Sequence, residues 1–208
     1  MSDVWQQGLD RLGVALNARQ LHQLQQYMQL MQRWNKVYNL TAVRDPQQML
    51  PLHLWDSLSV AALVRGDDCL DVGSGAGLPG IPLAVLYPAR QFTLLDTNGK
   101  KTRFIQQAAL ELGLDNVQVV QQRVEQWQPD RKFTAIISRA FASLTDFVTV
   151  SAAHLQEAGV LYAMKGRYPE QEIAELPKGW VLSQSHPLDV PGLDAERHLL
   201  ELVRCTHI

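Results

Sequence analysis

The chain has 208 residues, 46% of them hydrophobic, two cysteines and a formal net charge of −2. That is enough apolar material for one α/β domain with an appendage, and no apolar run approaches the roughly 18 residues of a membrane span. Cys69 and Cys205 sit in apolar runs as single thiols, which excludes a disulfide framework or a zinc site and suits a reducing compartment. The mild acidity gives no argument for nucleic-acid binding from global charge and leaves a local basic patch as a sufficient route. No basic flank followed by an apolar core opens the chain, so a cytoplasmic protein is expected.

Residues 1–66 show no strand pattern and are rich in glutamine. Leu21, Leu24, Met28, Met31 and Trp34 recur at helical spacing, with Tyr27 on the same side, which predicts a core-packing amphipathic helix. Asn39-Leu40-Thr41 breaks it. Asp45-Pro46 can start another segment, and Pro51 is expected to begin a main helix through Trp55, Leu58 and Ala62. His53 and Asp56 share a face of that helix. No flexible linker follows, so residues 1–66 are expected to form a helical cap packed on a body of residues 67–208.

From Asp67 the pattern alternates. Strands are predicted at 69–72, 91–95, 117–120, 133–137 and 159–164, with helices over 79–87, 99–112 and 144–155 between them. Such alternation predicts a parallel sheet between helix layers. Trp180–Ser185 and His198–Cys205 are strand-like and joined through Pro187, Pro191 and Gly192, which predicts a closing antiparallel hairpin.

The first strand ends in Asp71 and is followed by Gly73, Gly75 and Gly77. Glycines at a strand-to-helix turn permit positive φ and close approach of a ligand, and the helix start adds unpaired N–H groups. Gly73, Gly75 and Gly77 are spaced G-x-G-x-G. This D-x-G-x-G-x-G form resembles the first motif of class I S-adenosylmethionine-dependent methyltransferases; another nucleotide-binding fold or a plain tight turn stays open at this point. Asp96 ends the second strand, 19 residues after Gly77. That position suits an acid binding both ribose hydroxyls, or a helix cap.

Ligands of open α/β sheets bind beyond the carboxyl ends of the strands. Val124 and Glu125 follow the third strand, where backbone groups can read an adenine edge; Glu125 reads equally as a surface acid. Arg139 follows the fourth strand, either as a ligand contact or as a structural arginine paired to an acid such as Asp71 or Asp146. Lys165 and Arg167 follow the fifth. With Lys100, Lys101, Arg103, Arg123 and Arg139 they are candidates for a basic mouth. Phe141 and Tyr38 are candidates for stacking on a base. His154, His186, His198 and His207 do not fall at metal-ligand spacing.

Several stretches together resemble one family. They are Trp34-Asn35-Lys36-Val37-Tyr38-Asn39-Leu40-Thr41, His53-Leu54-Trp55-Asp56-Ser57, Asp71 through Pro82, Leu94-Leu95-Asp96, Ile137 through Ala142, Lys165-Gly166 and Glu196-Arg197-His198. The family is RsmG, also called GidB, of bacterial 16S ribosomal RNA guanine-N7 methyltransferases, and the resemblance runs from about residue 20 to the C-terminus. It implies a Rossmann-like class I α/β fold with a C-terminal antiparallel hairpin and an N-terminal helical cap, and S-adenosyl-L-methionine as cofactor. Gly73, Gly75, Gly77, Leu78, Asp96, Val124, Glu125 and Arg139 would bind that cofactor. Arg123, Lys165, Arg197, Lys100 and Arg103 are the candidates for contacting RNA. The implied partner is 16S RNA or the small ribosomal subunit. Independently of the resemblance, the sequence shows no heptad or exposed apolar stripe and no metal-ligand spacing, so a monomer without a metal is expected. The alternative of a different class of acceptor is a small-molecule methyltransferase with the same cofactor site. Guanine N7 has a free lone pair and no proton to lose, so the implied reaction needs no general base.

Overall fold

A computed structural model describes residues 3–205. It opens with α1 (Asp3–Leu12), an amphipathic helix to which the sequence reading assigned no element. The long α2 (Ala18–Tyr38) starts in a capping box: Asn17 Oδ1 accepts from Gln20 N, and Gln20 Oε1 accepts from Asn17 N. Asn39 ends it in the left-handed region at φ 51°, a conformation asparagine tolerates at helix ends. Leu24, Tyr27, Met28 and Met31 form the buried stripe that the spacing predicts.

The next helix differs from expectation. It starts at Pro46, capped by Asp45, as α3 (Pro46–Met49), widens into a π-helical turn (Leu50–Trp55), and resumes as α4 (Asp56–Leu58). Pro51 lies inside it rather than at its start. Proline supplies no N–H and crowds the preceding turn of an α-helix, and here it sits where the turn is wider. The helix stops at Leu58, before Ala62, and residues 59–63 form turns.

Seven strands form one sheet in the order β3-β2-β1-β4-β5-β7-β6. They are β1 (Asp68–Val72), β2 (Gln91–Asp96), β3 (Val117–Gln121), β4 (Phe133–Ser138), β5 (Leu155–Lys165), β6 (Trp180–Pro187) and β7 (His198–Arg204). β1 to β5 pair in parallel, while β7 runs antiparallel to both β5 and β6. The expected C-terminal hairpin is therefore present, with β7 inserted between β5 and β6. The predicted helix over 144–155 is shorter. α7 (Leu144–Ser151) gives way to a 3-10 turn, and β5 begins at Leu155, which pairs with Phe133 across an irregularity in register.

Side chains alternate across the sheet as the two-residue period requires. Cys69, Leu94, Ala135, Ile137 and Tyr162 face a layer containing α2, α4, α5 (Gly80–Leu86) and α6 (Gly99–Leu112), and belong to one buried cluster with Leu24, Tyr27, Leu54 and Phe104. Leu70, Ile136, Leu161 and Leu200 face the other way, toward Leu144, Phe147 and Val148 of α7. The helical cap therefore shares a core with the sheet. Each fully buried leucine of that core contributes roughly 1.5–3 kcal/mol over an exposed one. No helix among the described residues is long and apolar enough to cross a membrane.

Candidate functional site at the carboxyl edge of the sheet

β1 delivers the chain into the glycine turn, where Gly73, Gly75 and Gly77 have φ of 72°, 61° and 84°. A Cβ at Gly73 would meet Ala140 Cβ at 2.6 Å, and one at Gly77 would meet Ile81 Cγ1 at 2.7 Å. One at Gly75 would meet nothing nearer than the Gly73 carbonyl oxygen at 4.0 Å. Two of the glycines thus serve packing, and Gly75 leaves a bare stretch of backbone open to a ligand. The turn is held from several sides. Gly73 N and Ser74 N donate to Leu95 O, Gly75 N donates to Asp96 Oδ2 at 2.9 Å, and Tyr27 in α2 donates its hydroxyl to Ala76 O at 2.5 Å. Leu78 is buried beneath the turn.

The expected free N–H at the start of α5 is not free. Asp71 Oδ2 accepts from Gly80 N at 2.9 Å, so the chain's own acid takes that donor. Asp71 is 1% exposed and its Oδ1 has no partner. Burial pushes its pKa up to about 7, against the Gly80 hydrogen bond and Arg139, which lower it.

Asp96 lies at the end of β2 and is 6% exposed. Its Oδ1 accepts from Asn98 N at 2.8 Å, and its other oxygen holds Gly75 N. The cap of α6 is Asn98, which accepts from Lys100 N. A carboxylate has about four acceptor sites, so Asp96 retains capacity for further donors. Val124 is buried at the N-terminus of a 3-10 turn, and its carbonyl accepts from His154 Nε2 at 2.9 Å; Glu125 is exposed beside it. With that carbonyl engaged, the backbone amides are the groups this loop can offer a base edge.

A cavity of about 350 Å³ opens beyond β4 and β5. Its wall brings together Arg139, Lys165, Arg197 and His198 from the sheet side with Leu52 and Asp56 from the cap. Arg139 Nη1 lies 2.8 Å from Asp56 Oδ2, and Arg197 Nε lies 3.2 Å from Asp56 Oδ1. The partner of Arg139 is thus neither Asp71 nor Asp146. Lys165 is also engaged: its Nζ pairs with Glu172 Oε2 at 2.7 Å and donates to Phe141 O and Ala142 O, tying the loop after β4 to α8 (Glu170–Ala174). Lys100, Arg103 and Arg123 are exposed and outside this wall, and Arg103 donates to Gly99 O in its own helix. Phe141 packs against Phe147, whereas Tyr38 is exposed and its ring lies tilted against Trp34. His207 lies outside the described residues.

Asp56, which the sequence places on a helix face with His53 but gives no partner, lies in the cavity wall. Its buried neighbours explain how it is delivered. Asn35 in α2 donates to Val43 O and accepts from Thr41 N; Thr41 Oγ1 lies 2.9 Å from His53 Nε2; and Ser57 Oγ donates to His53 O. Burial, with Arg139 adding to it, pushes His53 down to about 4, so it is neutral near pH 7. These polar ties link α2, the following loop and the π-helical turn, and so fix the face that carries Asp56. The signal in the sequence was polar residues in otherwise apolar helix faces, Asn35, His53 and Asp56.

The open backbone at Gly75 and the buried acid Asp96 fit a cofactor with a ribose diol and an amino-acid tail. Among the described residues no group of three or more His, Cys, Asp or Glu side chains gathers as a metal site.

The model of the family described as rRNA small subunit methyltransferase G (GidB) matches residues 20–200. A protein of Marinobacter nauticus named ribosomal RNA small subunit methyltransferase G is 53% identical over 197 residues, covering 95% of this chain and 92% of its own. One of the same name from Pseudomonas paraeruginosa is 52% identical over 206 residues, covering 98% and 95%. Among solved structures, the glycopeptide N-methyltransferase MtfA complexed with S-adenosyl-L-homocysteine superposes with a TM-score of 0.62 at 14% identity, over 74% of this chain and 87% of that one. The ribosomal protein L11 methylase of Lactobacillus delbrueckii subsp. bulgaricus gives a TM-score of 0.56 at 19% identity, over 73% and 77%. The structural likenesses establish a class I methyltransferase fold, and the family match with the close relatives establishes that the chain belongs to the rRNA small subunit methyltransferase G family.

Proposed function

We propose that this protein transfers a methyl group from S-adenosyl-L-methionine to N7 of a specific guanine in 16S ribosomal RNA. The observation that carries the reading is the cationic cavity on the same sheet edge as the open glycine turn, in a chain that matches its family nearly end to end. The cofactor supplies a sulfonium-bound methyl that the lone pair of N7 displaces in line. The protein's part is to bring the two together, a proximity effect that can supply about 7–11 kcal/mol.

In this reading Gly73, Gly75, Gly77 and Leu78 shape the turn under the cofactor's amino-acid end, and Asp96 binds its ribose hydroxyls. The amides of Val124 and Glu125 face the adenine. Arg139 stands between the cofactor and the acceptor, and with Arg197 offers N–H donors to a phosphate or to guanine O6. Lys165 holds the loop after β4 in place. Arg123, Lys100 and Arg103 are exposed cations for the RNA backbone outside the cavity. No residue has to remove a proton, which agrees with Asp56 being occupied by two guanidiniums. The protein works as a cytoplasmic monomer on the small subunit or its RNA.

The test is methyl transfer from radiolabelled cofactor to small subunits and to free 16S RNA lacking the modification, followed by nucleoside digestion. Label in 7-methylguanosine is the expected result. Cofactor binding without transfer to either substrate would favour the small-molecule reading.

A further inference from the structure

The wall of the acceptor cavity contains an uneven set of charges. Lys165 is matched by Glu172. Arg139 directly follows β4 and Arg197 directly precedes β7, and the two share one carboxylate. Asp56 is 4% exposed, while each arginine side chain is a quarter exposed. Among the described residues Arg139 donates only through Nη1, and Arg197 only through Nε and Nη1. Each guanidinium carries five donors, so N–H groups remain on both for a ligand. The trio therefore bears a net charge of +1 and has donors to spare.

That balance matters for the reaction proposed above, on which this inference rests. Methylation at N7 makes the base cationic. Two uncompensated arginines on the same wall would attract the RNA backbone but oppose the charge that develops on the base, and they would repel each other. A buried carboxylate between them removes one charge and ties both side chains to a rigid element.

We propose that Asp56 is the positioning residue of the acceptor site: it clamps Arg139 and Arg197 on the cavity wall and holds that wall at a single positive charge, suited to one phosphate or guanine O6 edge. The anchoring of Asp56 through Asn35, Thr41 and His53 then gives the cap a role in the active site, because it carries the counter-charge that the sheet lacks.

The experiment compares wild type, Asp56→Asn and Asp56→Glu in single-turnover methyl transfer to unmodified small subunits. Cofactor affinity, thermal melting and the salt dependence of 16S RNA binding are measured in parallel. For Asp56→Asn the expected result is a turnover rate at least tenfold lower, with cofactor affinity within twofold of wild type. RNA binding should hold or tighten, and its logarithmic salt slope should steepen by about 0.7 for the charge released. Asp56→Glu keeps the charge, so its salt slope should match wild type and its rate should lie between the other two. A rate for Asp56→Asn equal to wild type overturns the inference. So does a loss of rate that tracks an equal loss of cofactor affinity and melting temperature. If Asp56→Asn does not fold, Asp56→Glu decides: a steepened salt slope, or a rate equal to wild type, overturns it. A wild type that transfers no label to subunits or RNA defeats the proposed function and this inference together; the variants with an active wild type defeat only the inference.

Discussion

Tyr27 connects the helical cap to the glycine turn, and its removal is the sharpest test of that connection. The side chain is 0% exposed, packs against Phe104 with ring centroids 6.2 Å apart, and donates its hydroxyl to Ala76 O at 2.5 Å. Burial pushes the phenol pKa well above its ordinary value, so it remains a donor throughout the neutral range. Tyr27→Phe keeps the ring packing and strips the Ala76 carbonyl of that donor. Leaving a buried carbonyl without a donor costs about 1–3 kcal/mol, and in a chain of this length each kcal/mol lowers the melting temperature by about 2–4 °C. Ala76 lies next to Gly75, which the proposed function places under the cofactor, so part of the loss should appear as a looser glycine turn. A share of about 1 kcal/mol corresponds to roughly fivefold weaker S-adenosylmethionine binding. Thermal melting and calorimetric titration of the two proteins measure both quantities. A melting temperature within one degree of wild type, together with unchanged cofactor affinity, would refute the claim that this bond holds the turn.

Other expectations concern the same edge of the sheet. In the native protein Asp71 has a pKa near 7, against 3.8 when unfolded, so the native state binds the extra proton and stability falls as pH rises between about 4 and 7. Asp71→Asn should gain on wild type across that window, by on the order of 4 kcal/mol at most, in denaturation measured at pH 4.5 and pH 8; a constant difference would refute the assignment. His53 acts in the opposite sense, since its depressed pKa near 4 makes stability fall as pH drops from 6.5 toward 4, so the variant rather than the wild-type profile isolates Asp71. Gly75→Ala should cost about 1 kcal/mol of stability from its positive φ but weaken cofactor binding tenfold or more, whereas Gly73→Ala should also destabilise through its clash with Ala140; equal effects on binding and folding at both positions would contradict the division of roles. Burial pushes the Cys69 thiol up to about 12, while Cys205 is partly exposed, so thiol titration of the native protein should count one fast thiol, and the second only on unfolding.

Much of the body could be read from the sequence because its signals are local. Short apolar runs between helical stretches located the strands, helical spacing located α2 and α6, flanking prolines marked α5, and the glycine spacing located the turn after β1. Boundaries slipped where a local rule met a tertiary one. Pro51 looked like a helix start, yet it lies inside a π-helical turn that packs in the core. β5 begins four residues early because Leu155 finds a partner in Phe133 of the neighbouring strand.

The chain by itself determined the fold class, the family and the residue types at the carboxyl edge, since each is encoded in short runs whose meaning does not depend on distant residues. Only the tertiary structure decided which charges meet. Asp56 reaches Arg139 and Arg197 from 83 and 141 positions away, and Tyr27 reaches Ala76 from 49. Periodicity says which face of a helix is buried but not which polar group waits on the facing element. That choice depends on how α2, the π-helical turn and the sheet pack together, and it converts Lys165 from a free cation into a loop tether and Asp56 from a helix-face acid into the partner of two arginines.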